Sequence, residues 1–158
     1  MRDLSGDFAG LESIPLKLAI VAVVATLSVM PATQALSALE NRDFQRRAEI
    51  QLNVVVTTAQ VLTVQGPGNV RTISLDFRSE GRLVFEQLCI GDAIGGANSS
   101  VVRLTLSNGA VMINVARDPP CIICSSARTE FVSNQVSIYL RMASELDNRT
   151  TIVIVEAV

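Results

Sequence analysis

Between Leu18 and Leu39 the chain runs LAIVAVVATLSVMPATQALSAL, twenty-two residues without a charge, set between a charged amino terminus and the stretch ENRDFQRRAE. As a helix this stretch is about 33 Å long at 1.5 Å per residue, against a bilayer hydrocarbon core of roughly 30 Å. A helix in a soluble core buries one stripe, so it has no use for an apolar run of this length on every side. The segment must meet either lipid or other copies of itself.

Three uses of such a segment compete. A secretory signal finds an apolar core in Leu18 to Met30 and a small-residue cleavage pattern in Thr33-Gln34-Ala35, but Asp3, Asp7 and Glu12 offset the positive charge of Arg2 and Lys17 that a signal wants. A plain membrane anchor fits by length. Its flanks do not orient it, because Arg2 and Lys17 on one side face Arg42, Arg46 and Arg47 on the other. A filament core helix, held in the membrane first and packed against its copies afterwards, fits the residue types best. Ala19, Ala22, Ala25, Thr26, Ser28, Ala32, Thr33, Ala35, Ser37 and Ala38 are small, and small residues let helix backbones approach where no water drives them together. Pro31 removes one backbone bond inside the run, an irregularity tolerated where neighbouring helices re-satisfy the freed carbonyl.

Beyond Leu39, Phe44, Ala48, Leu52, Val55, Ala59 and Leu62 recur every three or four residues, which predicts that the helix continues to about Val64. Ile50, Leu52, Val54 and Val56 also alternate as a strand would, but over fewer residues. Gly66-Pro67-Gly68 ends the helix. Six β-type runs follow: Val70 to Phe77, Arg82 to Leu88, Val101 to Leu106, Ala110 to Ala116, Gln135 to Ala143 and Thr150 to Glu156. Asn108-Gly109 is suited to the positive φ values of a tight hairpin, and a second hairpin is expected at Leu146 to Arg149. The last strand is expected to bury the carboxyl terminus. The resulting fold class is α+β: a head and long hydrophobic helix over residues 1–65, then an antiparallel, sandwich-like β domain over residues 66–158.

Chemistry is limited by what is missing. The chain has no histidine, which removes the usual general base near neutral pH and the commonest metal ligand. Its acids, among them Asp76, Glu80, Glu86, Asp92, Asp118, Glu130 and Asp147, form no paired motif, so no enzyme is expected. A net charge of -2, no tryptophan and one tyrosine leave no footprint for nucleic acid. Cys121-Ile122-Ile123-Cys124 is a CxxC without the further ligands of a zinc site, and Ser125 stands where a c-type haem motif has its histidine. Residues 91–96 (GDAIGG) lack the lysine of a phosphate loop. No cofactor or metal is expected.

The order of Gly10-Leu11-Glu12-Ser13-Ile14-Pro15-Leu16-Lys17-Leu18, the apolar helix, and later Gly66-Pro67-Gly68-Asn69-Val70-Arg71 resembles archaeal type IV pilin-like proteins, the superfamily that includes archaeal flagellar filament subunits. The resemblance covers about a third of the chain. It implies a subunit lodged in the cytoplasmic membrane before assembly, then built into an extracellular homopolymer by separate motor and platform proteins, for adhesion or as a surface appendage. Glu12 resembles the acid that pilins place near the helix start, with Lys17 its candidate partner on a neighbouring copy; Ala22, Ala25, Pro31 and Leu39 lie along the polymerising surface. The family's precursors usually carry a basic residue just before the processed glycine, whereas Gly6 follows Ser5 and Gly10 follows Ala9 here. Outside the cell, Cys89 is expected to pair with Cys121 or Cys124, a bridge worth on the order of 3 kcal/mol. Asn98-Ser99-Ser100 and Asn148-Arg149-Thr150 are candidate N-glycosylation acceptors. The alternative is a single-span anchored protein whose extracellular β domain binds a partner, and the third possibility is a secreted soluble domain.

Overall fold

The computed structural model describes residues 8–79, 81–92, 96–125, 130–132 and 137–158, and for residues 8–14 and 130–132 the backbone alone. One helix, α1, runs Phe8–Gln65 with Pro15 and Pro31 inside it. Among the described residues eight strands follow, β1 Val70–Asp76, β2 Phe85–Ile90, β3 Val101–Leu106, β4 Val111–Val115, β5 Ile122–Ser125, β6 Glu130–Val132, β7 Ser137–Asp147 and β8 Thr150–Ala157. A long apolar helix followed by a β-rich domain is thus what the chain forms. The chain divides into two compact units, Met1–Leu39 and Glu40–Val158, so residues 40–65 of α1 belong with the strands.

In the larger unit, α1 contributes a face of Phe44, Ala48, Leu52, Val55, Ala59 and Leu62, none more than 2% exposed. Ile50 and Val54, which a strand would have placed beside Leu52 and Val56, are 52% and 38% exposed. The β-branched run Val54-Val55-Val56-Thr57-Thr58 is therefore helical against its local preference, because burying Val55, Val56 and Ala59 outweighs a few tenths of a kcal/mol per residue.

The strands form two four-stranded sheets, ordered β1-β7-β8-β5 and β4-β3-β2-β6. Alternation sets their inner faces: Leu75, Ile123, Ile138, Leu140, Met142, Val153 and Val155 from the first sheet, Phe85, Leu88, Ile90, Val102, Leu104 and Leu106 from the second. Both sets join the α1 face in one hydrophobic core. Among the described residues the expected antiparallel arrangement holds for the strand pairings except that of β5, which lies parallel to β8 from Ile122 opposite Ile152 to Ser125 opposite Val155. The sheets are stitched where β2 ends. The Asp92 amide donates to the Ile123 carbonyl and the Ser125 amide to the Asp92 carbonyl. Gly91 has φ +64, and a Cβ there would overlap the Ile123 carbonyl oxygen, so no other residue lets the two backbones come this close.

Both predicted hairpins are present, with turn types that differ from the local reading. Between β3 and β4, the Gly109 amide donates to the Leu106 carbonyl and only Gly109 has positive φ, while the Asn108 side chain accepts from the Ala110 amide. That is a three-residue loop, a type I turn closed by a left-handed glycine. The β7–β8 turn is instead the two-residue form, with Asn148 at φ 43 and Arg149 at φ 70. The strand expected from Gln135 begins, among the described residues, at Ser137. Val158 is 78% exposed, so the carboxyl terminus emerges from the sheet instead of being buried.

Helix α1 ends in a clamp that the sequence did not announce. Gly66 (φ +84) turns the chain, and the Asn69 side chain donates to the Gln65 and Gly66 carbonyls. The hydroxyl of Ser144 in β7, 1% exposed, donates to the Gly66 carbonyl at 2.6 Å and accepts from the Asn69 amide at 3.1 Å. The Gly68 amide donates to the Ser144 carbonyl at 2.8 Å. Further back, Gln60 donates to the carbonyls of Asp118 and Pro119, across a cis peptide, tying the β4–β5 connection to the helix.

Candidate functional site

In the amino-terminal unit, every residue from Pro15 to Leu36 is exposed, including Leu18, Leu27 and Met30 at 65–70%. By length and composition α1 can span a membrane there. Moving an aliphatic side chain out of water is worth about 2 kcal/mol, so the exposed Leu, Ile, Val and Met residues of the run together represent on the order of 20 kcal/mol. That is apolar surface which lipid or other apolar surfaces would cover favourably.

Three of the four hydroxyls along the run are satisfied locally. Thr26 donates to the Ala22 carbonyl at 2.7 Å, Ser28 to the Val24 carbonyl at 2.8 Å and Thr33 to the Met30 carbonyl at 2.9 Å. Each hydroxyl is thereby folded back on the helix, leaving mainly methyl surface outward. Ala25, Ser28, Ala32 and Ala35 fall within about 80° of arc at 100° per residue, which makes one side of the helix thinner than the rest. An apolar groove beside Pro31 is lined by Ala25, Leu27, Val29, Met30 and Thr33. Of the other residues singled out above, Ala22, Pro31, Leu39 and Lys17 are exposed on α1. Glu12 lies in the helix, but its side chain is outside the described residues.

The cysteines do not come together as expected. All three are free thiols. Cys89 sits between Leu88 and Ile90, which both point into the core, so alternation turns Cys89 to the opposite face, where Arg103 Nη2 lies 3.7 Å from its sulfur. Cys121 belongs to the core with Ile123, and Cys124, three residues on, faces the other way. Positions i and i+3 of an extended chain point to opposite faces, so this CxxC cannot chelate or close on itself. Burial pushes the Cys121 thiol up to about 11, a hydrogen bond with Thr63 opposing it in part. Burial also raises Cys124, helped by the carboxylates of Asp147 and Asp92. Thiols held neutral in this way are poor nucleophiles. Among the described residues, no group of three or more His, Cys, Asp or Glu side chains is placed to hold a metal ion.

Both sequons lie on turns at the surface, with Asn98 and Asn148 exposed. The loop of residues 91–96 falls partly outside the described residues. No protein-family model, curated protein or solved structure matches the chain.

Proposed function

We propose that the chain is a structural subunit of an extracellular, type IV pilus-like filament, polymerising through residues 18–39 of α1. The observation that carries this reading is a helical segment exposed and uncharged on all sides, with the hydroxyls of Thr26, Ser28 and Thr33 bonded to its own carbonyls. Such a surface suits lipid and suits helices of its own kind, and the small residues along one side favour close helix contact. In the proposed sequence of events the segment rests in the cytoplasmic membrane, then leaves it for a bundle of identical helices. Repetition of one heterologous contact produces an open helical polymer. Motor and platform proteins would supply the work of extraction. The activity is assembly, with no turnover and no cofactor, and the β domain is the surface offered to the outside.

Negative-stain imaging of the purified full chain tests this. Long regular filaments are expected, and Ala22→Phe with Ala25→Phe is expected to abolish them while leaving the unfolding of the larger unit unchanged. A monomer that stays dispersed only in detergent, with no filaments under any condition, would refute the polymer and favour the single-span alternative.

A further inference from the structure

The two Asn-x-Ser/Thr sequons look equivalent as text, and the fold separates them. Transfer of a glycan requires the asparagine amide and the hydroxyl two residues on to be presented together to the transferase. At Asn98 the backbone of the triplet and the Ser100 hydroxyl are engaged in the seam between the sheets. The Asn98 backbone N–H donates to Asp92 Oδ2, and its backbone carbonyl accepts from the Val101 amide at 3.0 Å. The Ser99 carbonyl accepts from the Ile123 amide, and the Ser100 carbonyl from the Ala116 amide at 2.9 Å. The Ser100 hydroxyl itself donates to the Cys121 carbonyl at 2.9 Å, and Ser100 is half-buried. Presenting this triplet means undoing bonds to three other segments.

Asn148-Arg149-Thr150 has the opposite character. Asn148 and Arg149 are the two central residues of the β7–β8 turn, both with positive φ, and only the terminal pair Asp147 opposite Thr150 adjoins them. All three residues of the triplet are exposed, and the Thr150 hydroxyl makes no hydrogen bond among the described residues. Opening the end of a hairpin costs little, because terminal pairs fray at nearly no free energy.

We infer that Asn148 is the N-glycan acceptor of the folded domain and that Asn98 is not. The donor is a polyprenyl-phosphate-linked oligosaccharide. Asn148 Nδ2 attacks the anomeric carbon, a carbon–nitrogen bond forms as the bond to the phosphate oxygen breaks, the amide gives up one proton, and the lipid phosphate leaves. The inference rests on the β domain lying outside the membrane, as proposed above.

The test is peptide mapping by mass spectrometry of the full chain from its native cells, alongside protease digestion of intact cells. Expected are a glycan mass on the peptide bearing Asn148, none on that bearing Asn98, loss of the mass in Thr150→Ala and its retention in Thr150→Ser. Both substitutions keep the asparagine and its turn, so a folding defect does not imitate the result. A glycan on Asn98, or a bare Asn148 in a domain that external protease reaches, overturns the inference and leaves the filament reading intact. A bare Asn148 in a domain that external protease cannot reach overturns both.

Discussion

Residues 18–39 and 44–62 share one helix, yet the first stretch is exposed on all sides and the second buries a single face almost completely. The difference lies in arrangement. In the second stretch Arg46, Arg47, Glu49 and Asn53 occupy the faces between the apolar positions, so the sequence names one direction as inside. The first stretch has no polar face, so it names none. A helix of that kind takes its inside from its surroundings, and the chain divides between the two behaviours at Leu39 and Glu40.

Truncating one leucine in each stretch should show the largest contrast. Leu52→Ala removes a side chain that is 1% exposed and is expected to cost about 2–5 kcal/mol in denaturant unfolding of the full chain. Leu27→Ala, at a position 70% exposed, is expected to stay within about 0.5 kcal/mol. Equal costs would mean that the two stretches do not differ in kind.

Charge gives the converse experiment. Val24→Asp places a carboxylate at the middle of the uncharged run, at an insertion cost of about 2.5–3.5 kcal/mol, and should eliminate filaments and membrane retention alike. Ile50→Asp, on the exposed side of the second stretch, should leave filaments, retention and unfolding unchanged within about 0.5 kcal/mol. Loss of filaments from Ile50→Asp would move the assembly surface beyond Leu39.

A smaller effect concerns Cys121, which meets Thr63 near the end of the second stretch. Its pKa is raised from 9.0 to about 11 in the folded chain, so the native state binds this proton more tightly than the unfolded state does. The associated stability is fully present below pH 9 and declines as the pH rises to about 11, by on the order of 2 kcal/mol. Cys121→Ala should flatten the dependence of unfolding midpoint on pH across that window; an unchanged slope would show that the thiol is not closed off from water.

Much of this fold could be read in advance because its signals are periodic and local. The spacing from Phe44 to Leu62, the Gly-Pro-Gly stop, the alternation in β3 and β7 and both hairpins are properties of a few neighbouring residues. Strand β5 was missed because Ile123 and Cys124 are both buried, as befits a parallel strand covered on two faces, so it shows no alternation. Strand β6 has three residues and is defined only by its pairing with β2. Ser144 looks like any serine in a strand, since its carbonyl and amide partners lie some 75 residues away in sequence. The cysteines were misjudged although a signal existed: the parity of Cys89 against Leu88 and Ile90 already assigned it to the outer face. The uncharged run itself was unmistakable, while its partners are a property of other molecules.

The clamp at the end of α1 has a mechanical meaning. A pull transmitted along the helix enters the sheet by two routes, the backbone that continues into β1 at Val70 and the bonds from Gly66, Gly68 and Asn69 to Ser144, the eighth residue of β7. That strand has 11 residues and is flanked on both sides, by β1 and by β8, so the load passes into two ladders at once. An edge strand pulled from its end, as β1 is at Val70, peels one bond at a time; a central strand held within its length shares the force among many. The clamp thereby spreads over a central strand part of a load that the edge strand alone would take at its end.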